Sequence, residues 1–418
     1  MQAVLDGILR RLITVGRLTV IWPGGLQSIY SGEAGPSATM RLRDRQTIRR
    51  LISNPSLASG EAYMSGGLSV DDSSIYDLID LMLLNVRRNP GGHPVMRWRE
   101  VLASLGRRLV QHNPAGRARR NVAHHYDLNG RLYSLFLDRD QQYSCAYFRY
   151  GDETLEEAQA AKKRHIAAKL CLDRPGLSVL DIGCGWGGMA LTLAQDFGAR
   201  VTGITLSQEQ LTEARARAAA RGLDDRVRFE LLDYRAVTET YDRVVSVGMF
   251  EHVGIGHYDT FFDTVTRCLK PDGVALVHAI GRGAGPGSTN AWLRKYIFPG
   301  GYSPALSEVL PSVERAGLMT TDIEILRLHY AETLRHWRRR FAANRDAIAT
   351  LYDEVFCRMF EFYLAASEIA FRRTFHMVWQ LQLTRGHGPV PLTRDYIGAI
   401  EAGRPVGPKA EAASPLRR

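Results

Sequence analysis

Cysteine pairs are missing from this sequence, although it contains five cysteines. The number is odd and no CxxC spacing occurs, so neither a disulfide framework nor a metal site is expected. We therefore expect a reduced, cytoplasmic protein. The cysteines are Cys145, Cys171, Cys184, Cys268 and Cys357.

Long apolar runs are also missing. No stretch approaches the ~18 consecutive apolar residues of a membrane-spanning helix. In residues 1–23, the apolar side chains are interrupted by Arg10, Arg11 and Arg17, which excludes a signal-peptide core. The pattern predicts an amphipathic helix, which would either lie on a bilayer or pack on its own domain.

Acidic side chains are the scarcer charged class, with 44 Asp and Glu against 54 Lys and Arg, giving a formal net charge of +10. This excess favours an anionic partner, either nucleic acid or an acidic membrane surface. Solubility alone would also account for it. We find no RNA-binding motif. The 418 residues suffice for about two domains.

Residues 179–188 read Val-Leu-Asp-Ile-Gly-Cys-Gly-Trp-Gly-Gly and carry the strongest local signal. Apolar residues lead into Asp181, glycines follow, and an apolar helix-like run begins at Met189. This predicts a buried strand, a tight turn and a helix start. Glycines suit such a turn because a ligand can approach the backbone closely.

Two cofactor classes are compatible with this loop. Gly183, Gly185 and Gly188 also satisfy the dinucleotide fingerprint, which is weak evidence on its own. A nicotinamide site needs an acid about 20 residues further on, and the second strand, in residues 200–207, ends without one. The acid is Asp181, before the glycines. This arrangement resembles the nucleotide-binding loop of class I S-adenosylmethionine-dependent methyltransferases.

Strand and helix patterns alternate after the loop. The predicted strands are 201–206, 228–232, 243–247 and 274–279, and the predicted helices are 208–221 and 257–269. Such alternation predicts an α/β fold with a doubly wound, mostly parallel sheet of the Rossmann-like type. Helix-like patterns between residues 348 and 383 would close this domain.

We expect a smaller α+β domain in residues 1–115, a catalytic domain in residues 121–400 and a disordered tail in residues 403–418. The boundary falls in the basic, helix-poor stretch 107–120. Within the first domain the expected features are a strand at 18–21, a turn around 31–37 and helices at 44–52 and 73–86.

Polar residues follow successive predicted strands: Asp181; Thr205 with Gln210; Asp233 and Tyr234; Glu251 and His252; and His278. The carboxyl ends of parallel strands meet at one edge, where α/β folds bind ligands. Asp233 could accept a hydrogen bond from an adenine amine, and Tyr234 could stack on the ring. Aromatic faces also tolerate the sulfonium cation.

Five separated motifs carry a more specific resemblance. They are Gln-Tyr-Ser-Cys-Ala-Tyr-Phe at 142–148, Leu-Asp-Ile-Gly-Cys-Gly-Trp-Gly-Gly at 180–188, Gly-Ile-Thr-Leu-Ser at 203–207, Ser-Val-Gly-Met-Phe-Glu-His-Val-Gly at 246–254 and Lys-Tyr-Ile-Phe-Pro at 295–299. Together they resemble cyclopropane-fatty-acyl-phospholipid synthases over residues 121–395. Residues 60–64 resemble the bacterial N-terminal domain, which implies a lipid- or membrane-binding role for residues 1–115.

The resemblance implies methylene transfer from S-adenosylmethionine to the cis double bond of an unsaturated phospholipid acyl chain. It also implies a bound bicarbonate ion as the base that deprotonates the carbocation. The positions matching the bicarbonate ligands are Cys145, Glu251, His278, Ile280 through its backbone, and Tyr330. The positions matching the cofactor site are Tyr143, Ser144, Asp181, Gly183, Cys184, Gly185, Gly187, Gly188, Thr205, Leu206, Gln210, Asp233 and Tyr234. Candidates for the acyl channel are Tyr143, Tyr147, Phe148, Phe250, Trp292 and Tyr296.

Each of these residues also has a structural explanation. Cys145 could be a small buried residue, Glu251 a helix N-terminal charge and His278 a core histidine, while the aromatics could simply fill the core. Some family members carry a cysteine where this chain has Ser367, which argues against a catalytic thiol there.

The expected partners are an unsaturated phospholipid and an anionic bilayer at the inner face of the cytoplasmic membrane, without nucleic acid. The basic run at 338–340, beside Trp337, suits anionic headgroups. The sequence leaves open whether the protein forms a homodimer. The product could instead be a methyl-branched or methylene-bearing chain. Other hypotheses are an RNA or small-molecule methyltransferase and a non-catalytic lipid-binding protein.

Overall fold

The computed structural model describes residues 1–88 and 130–404, and these divide into two compact units. The small unit comprises the described part of Met1–Arg107 with Gly287–Pro299 and Tyr330–Phe375. The large unit comprises the described part of Arg108–Pro286 with Gly300–His329 and His376–Arg418. The predicted boundary at 107–120 lies outside the described residues, as does nearly all of the predicted tail.

The regular elements are numbered along the chain. The strands are β1 (Val15–Ile21), β2 (Gln27–Ser31), β3 (Glu33–Leu42), β4 (Leu68–Asp71), β5 (Ser178–Ile182), β6 (Arg200–Thr205), β7 (Val227–Leu231), β8 (Tyr241–Val247), β9 (Leu269–Arg282), β10 (Met319–Leu326) and β11 (His376–Thr384). The helices are α1 (Gln2–Leu12), α2 (Arg45–Ser53), α3 (Pro55–Met64), α4 (Ile75–Arg88), α5 (Gly130–Phe136), α6 (Leu155–Lys169), α7 (Gly188–Phe197), α8 (Gln208–Ala220), α9 (Tyr258–Cys268), α10 (Ala291–Tyr296), α11 (Leu306–Arg315), α12 (His329–Ala343), α13 (Arg345–Leu351), α14 (Glu354–Arg373) and α15 (Asp395–Glu401).

The large unit is built on a seven-stranded sheet with the order β10-β11-β9-β8-β5-β6-β7. Strands β5 to β9 are parallel to their neighbours among themselves, while β11 is antiparallel to both β9 and β10. This confirms the predicted α/β, doubly wound and mostly parallel fold. The chain winds outward in both directions from β5, which makes the edge beside β5 the topological switch point where such sheets bind ligands.

Both faces of this sheet are buried. On β5, Leu180 and Ile182 join a core with Phe261 and Trp379, while Val179 joins the core on the opposite face. Successive side chains of a strand point to opposite faces, so an apolar strand can feed two cores. The sheet edge that carries the site therefore has packed helices on either side.

The helix-like pattern predicted up to residue 383 is wrong for its last part, because residues 376–384 form β11 within the sheet. Trp379 and Leu381 pack into one core, whereas Gln380 and Gln382 on the other face are also buried. The two glutamines are hydrogen-bonded internally, Gln380 to His278 and Gln382 to the carbonyl of Lys169. Because these two residues are polar, the sequence pattern does not indicate a strand that is buried on both faces.

The small unit has a four-stranded sheet with the order β2-β1-β3-β4. The predicted turn around 31–37 is shorter than expected. The chain reverses direction at Gly32, between β2, which is antiparallel to β1, and β3, which is parallel to it. Gly35 and Pro36 lie in β3, opposite a shift in the β1 register. A Cβ added at Gly16 would meet the Pro36 carbonyl oxygen at 2.2 Å, so the residues mark a close backbone approach at a bulge.

Later parts of the chain complete the small unit, which therefore extends beyond the predicted range 1–115. Arg373 of α14 forms a two-fold ion pair with Asp80 of α4 at 2.7 and 2.9 Å. Glu61 of α3 accepts hydrogen bonds from Lys295 and Tyr296 of α10 at 2.7 and 2.9 Å. Long-range partners of this kind leave no signal in local sequence patterns.

Helix α1 has the predicted amphipathic character. Its apolar residues Leu5 and Leu9 are buried in the core of the small unit, with Leu18 and Tyr30. Of the two alternatives, the apolar face packs on its own domain. Within residues 1–88 and 130–404, no helix combines the length and apolar content needed to cross a bilayer.

Candidate active site

A cavity lies at the carboxyl ends of β5, β6, β7 and β8, at the switch point of the sheet. Eleven of the thirteen predicted cofactor residues line it: Tyr143, Ser144, Asp181, Gly183, Cys184, Gly185, Thr205, Leu206, Gln210, Asp233 and Tyr234. Gly187 and Gly188 do not. The structure therefore gathers these residues around one space, as the strand-end pattern predicts.

The glycines of the loop allow a tight turn between β5 and α7. Gly183 has a φ of +84°, and an added Cβ would lie 2.8 Å from the Cβ of Met249. A Cβ at Gly188 would meet the amide nitrogen of Gln142 at 2.2 Å and a carboxylate oxygen of Asp140 at 2.5 Å. Gly188 begins α7, so these polar groups sit at a helix N-terminus. Gly188 therefore serves packing beneath the cavity.

Asp181, at the end of β5, is 2% exposed, and its Oδ2 atom has no hydrogen-bond partner. Burial raises the pKa of this carboxyl to about 7, and the positive charge of Lys162 opposes that rise. A buried carboxylate oxygen without a hydrogen-bond partner lowers the stability of the fold unless a ligand supplies the missing hydrogen bond. Asp181 is therefore suited to a cationic or hydrogen-bond-donating part of a cofactor.

The end of β6 is fixed by a side-chain bridge. The hydroxyl of Thr205 donates to Oε1 of Gln210 at 2.8 Å and accepts from the backbone N–H of Ser207 at 3.1 Å. Ser207 in turn caps α8 by accepting from the N–H of Gln210. The Ser207 cap and the Thr205–Gln210 hydrogen bond fix the side chains of Thr205 and Gln210, which line the cavity. They lie where a nicotinamide-dependent enzyme would carry its ribose-binding acid.

Asp233 is already engaged by the protein. Arg235 donates to both of its carboxylate oxygens at 2.8 and 2.6 Å, an interaction not predicted from the sequence. Oδ1 also accepts from the backbone N–H of Arg235 at 3.1 Å, so an adenine amine would donate to Oδ2. Burial raises the pKa of the neighbouring Tyr234 to about 12, which keeps this ring neutral.

The segment 142–148 is clamped to α6. The amide nitrogen of Gln159 donates to the carbonyl oxygens of Gln142 and Ser144 at 3.2 and 2.9 Å. Tyr147 is stacked between the imidazole rings of His165 and His329, with centroids 4.2 and 4.9 Å away. These contacts fix the ring of Tyr147, and its place in an acyl channel stays a prediction.

Glu251 follows β8 on a short 3-10 helix. Its Oε1 atom accepts from the backbone N–H of Ile280 at 2.6 Å, while its buried Oε2 atom has no partner. Burial raises the pKa of this carboxyl to about 7, and the hydrogen bond from Ile280 opposes the rise. Glu251 and Ile280, two of the predicted bicarbonate ligands, are thus in direct contact.

His278 lies two residues before Ile280 on β9, so their side chains point to the same face. Its carbonyl oxygen accepts from the N–H of Gly248 at 2.9 Å, and its Nδ1 atom is 3.1 Å from the amide nitrogen of Gln380. Burial is the main cause that lowers the pKa of His278 well below its ordinary value. This contact fixes the orientation of the imidazole, and its donor and acceptor roles depend on which ring nitrogen carries the proton.

Cys145 is 2% exposed and donates its thiol to the carbonyl oxygen of Ala146 at 3.3 Å. Its neighbour Ser144 lies next to Gly248, where an added Cβ would be 3.8 Å from the Ser144 Cβ. Since Gly248 is bonded to His278, the large unit brings Cys145 to the same region as the β8 and β9 residues. Tyr330 belongs to the small unit, where its ring meets those of Trp337 and Phe371 edge-on.

Several predicted channel aromatics are core or structural residues. Phe250 is fully buried among Tyr258, Phe261 and Trp379. Trp292, in the small unit, is 1% exposed, and its indole N–H is 3.3 Å from the Met64 sulfur. Of the predicted aromatics, Tyr143 lines the cavity.

Sequence reasoning missed several residues at this site. Trp186, Arg235 and Met249 line the cavity, and Lys162 lies fully buried beside it. Trp186 and Met249 fall inside the recognised motifs, so position alone could have indicated them. Lys162 has no such signal, because a lysine in an amphipathic helix ordinarily faces solvent.

The fold and this cavity together define a class I S-adenosylmethionine-dependent methyltransferase. The glycine turn and the acid before it agree with that class. The generic methyltransferase acid after β6 is absent, and Thr205, Leu206 and Gln210 line the cavity at that position instead. The orphaned Oδ2 of Asp181 and the open space at Gly185, where an added Cβ would meet nothing within 4 Å, fit such a cofactor.

Comparisons with known proteins specify the family. The profile of the mycolic acid cyclopropane synthetase family matches residues 114–381, and the chain belongs to this family. It is 40% identical to cyclopropane-fatty-acyl-phospholipid synthase of Escherichia coli over 84% of this chain and 88% of that one. It is 36% identical to tuberculostearic acid methyltransferase UfaA1 of Mycobacterium tuberculosis over 93% and 92% of the two chains. Mycolic acid cyclopropane synthase CmaA1, solved with SAH and CTAB, superposes with a TM-score of 0.61 at 34% identity, covering 65% of this chain and 99% of that one.

Proposed function

We propose that this enzyme transfers a methylene group from S-adenosylmethionine to the cis double bond of an unsaturated phospholipid acyl chain, forming a cyclopropane ring. The observation that carries the proposal is Glu251, a carboxyl held by Ile280 N–H near His278, with one buried oxygen left without a partner. Membership in the cyclopropane synthetase family and the likeness to the E. coli synthase support it.

The chemistry explains why a weak proton acceptor is needed. An alkene is a weak nucleophile, and its attack on the sulfonium methyl leaves a carbocation on the acyl chain. The ring closes when the transferred methyl loses a proton. A strong nucleophile beside that cation would itself be alkylated. The buried thiol of Cys145, bonded to a carbonyl, avoids this reaction because the nucleophilic form of cysteine is the thiolate.

We further propose that bicarbonate is held by Cys145, Glu251, His278 and the backbone of Ile280. Tyr330, the remaining ligand implied by the family resemblance, stays a prediction. The unpartnered Oε2 of Glu251 supports the fit of such a group. Bicarbonate would supply a weak base for the methyl proton. With a pKa of about 7, Glu251 can take up a proton and return it near neutrality, while His278 stays neutral and adds no charge.

Removing bicarbonate should lower turnover. In buffer freed of carbon dioxide, we expect kcat to fall by about tenfold or more, because general acid–base groups contribute roughly 10²–10⁴-fold. Adding sodium bicarbonate should restore the rate, and sodium chloride at equal ionic strength should not. An unchanged rate after depletion, with bound bicarbonate excluded by infrared spectroscopy, would contradict the assignment.

The pH dependence of kcat should have an acid limb near pH 7. Burial raises the pKa of Glu251 to about 7, so the carboxyl is mostly protonated below that pH and cannot accept a proton there. We expect kcat, measured with saturating S-adenosylmethionine between about pH 5.5 and 8.5, to rise with pH and then level off. Saturating cofactor removes the contribution of Asp181, whose pKa is also about 7, to cofactor binding. A profile that is flat across this range would refute the role of Glu251.

The reaction itself can be tested with purified protein, S-adenosylmethionine and vesicles of unsaturated phospholipid. Mass spectrometry should show a one-carbon gain in the acyl chains, and its absence would exclude the proposed function. Fragmentation then distinguishes a ring from a methyl branch. The branched outcome has a specific basis, because the similar UfaA1 protein is named a tuberculostearic acid methyltransferase.

We also propose peripheral association with an anionic bilayer at the inner face of the cytoplasmic membrane, supported by the net charge of +10. The basic run at 338–340 contributes less than its sequence indicates. Arg338 is paired with Glu368 at 2.9 Å and lies over the ring of Tyr76, whereas Arg339 is exposed. Binding to anionic vesicles that weakens with salt would support this association, and equal binding to neutral vesicles would not.

A further inference from the structure

We infer that Lys162 determines the specificity of the cofactor site for the carboxylate of the methyl donor, acting through the hydroxyl of Ser144. The inference depends on S-adenosylmethionine being the donor and not on the identity of the acceptor.

Lys162 is a fully buried cation on α6. Its ammonium donates to Oε1 of Gln142 at 2.6 Å and to Oγ of Ser144 at 2.8 Å. Within residues 1–88 and 130–404, no carboxylate lies within ion-pair distance of it. Burial lowers the pKa of this lysine to about 8, so it is still mostly charged at neutral pH. Its hydrogen-bond partners are neutral, and the charges of Asp138 and Asp140 act on it from beyond ion-pair distance. A buried charge without a directly paired carboxylate is costly, and an anionic ligand would lower that cost further.

The hydrogen bond from Lys162 fixes the polarity of Ser144. An ammonium can only donate, so the serine oxygen accepts, and the serine proton must point elsewhere. Ser144 lines the cofactor cavity, and its hydroxyl donates to no protein atom in the described parts of the chain. The cavity thus presents an O–H donor polarised by a cation, which matches an anionic acceptor.

The charge distribution of S-adenosylmethionine selects its carboxylate for this position. Its sulfonium and its amino group are positive and would be repelled by Lys162, so the carboxylate is the part that can gain from it. Asp181, a buried acid in the cavity wall, has an unpartnered oxygen and suits the positive groups. Together the two residues provide opposite charges for a zwitterionic amino-acid group.

The neighbouring Lys163 provides a matched control. It lies on the same helix, and its ammonium binds the Asp140 carboxylate at 2.5 Å instead of Ser144. Replacing it with methionine removes a partly buried charge of the same type without touching the serine.

The test compares two ligands by isothermal titration calorimetry: S-adenosylhomocysteine and its decarboxylated analogue, which keeps the amine. Lys162→Met should weaken binding of S-adenosylhomocysteine by about tenfold to a hundredfold, the range for hydrogen bonds to charged groups. Its affinity for the decarboxylated analogue should change by less than about threefold, because that ligand lacks the acceptor. Lys163→Met should show no such difference between the ligands.

Equal losses for both ligands, or no loss for S-adenosylhomocysteine, would overturn the inference and assign Lys162 a purely structural role. Ser144→Ala keeps the buried lysine and should show the same selective loss, so the inference stays testable if Lys162→Met does not fold. The double variant should lose little more than either single one, because the two residues act on one ligand group. All of these measurements are independent of lipid turnover.

Discussion

Replacing Glu251 with glutamine should reduce kcat by about 10²–10⁴-fold, the contribution typical of a positioned acid–base group. Glutamine retains the shape of the side chain, and its carbonyl oxygen can still accept from the N–H of Ile280. It cannot take up a proton, and proton uptake is the capacity that a pKa of about 7 gives to Glu251. The measurement is turnover of unsaturated phospholipid at saturating S-adenosylmethionine.

The same variant should bind S-adenosylhomocysteine with nearly unchanged affinity, because Glu251 does not line the cofactor cavity. A parallel loss of cofactor affinity would contradict the assigned role. Glu157→Gln is the matched control. Glu157 accepts from the N–H of Thr154 at 2.9 Å in a capping box, where glutamine serves equally well.

The second large effect is expected at Gly183. Alanine there should weaken binding of S-adenosylhomocysteine by about tenfold or more, since ~1.4 kcal/mol corresponds to a factor of ten. The φ of +84° disfavours a side chain, and the new Cβ would lie 2.8 Å from the Cβ of Met249. Both residues line the cavity, so any adjustment alters the space for the cofactor.

Gly176→Ala separates backbone strain from the effect on the site. Gly176 has a φ of +81°, but an added Cβ there would meet nothing within 4 Å. Both variants should lose roughly 1–2 kcal/mol of stability from the left-handed backbone. Gly183→Ala should show the larger decrease in Tm, because its Cβ also meets Met249. Only Gly183→Ala should lose cofactor affinity, as measured by calorimetry. Matching losses in the two variants would show that strain alone is responsible.

The sequence predicts the parallel part of the large sheet closely, because each strand is an apolar run followed by a helix of period 3.6. The loop at Gly183 is identified by its glycines and by the placement of Asp181. In contrast, the sequence does not predict β11, because the buried residues Gln380 and Gln382 give the segment the pattern of a helix with a polar face. Its hydrogen bonds to His278 and Lys169 depend on residues more than 100 positions away.

In the candidate site, too, some residues are predictable from the sequence and others are not. Residues at strand ends, such as Thr205 and Asp233, are predictable because parallel strands bring their carboxyl ends to one edge. The buried ammonium of Lys162 is not predictable, because its environment is created by the segment 142–148 folding over α6. The ion pair of Asp233 with Arg235 depends on a local turn that periodicity does not describe.

The position of β11 has a consequence for how the protein is made. This strand lies between β9 and β10, yet it is synthesised after both of them. During synthesis, the edges of β9 and β10 that pair with β11 therefore remain without hydrogen-bond partners until residues 376–384 leave the ribosome. At ~5–20 residues per second, the interval from the end of β9 to the end of β11 is about 5–20 s. During that interval the free edge of β9 and, once it is made, the whole of β10 lack a strand partner, and such edges aggregate readily. We expect chains that stop before residue 376 to need chaperones and to be cleared by proteases, however intact their cofactor loop is.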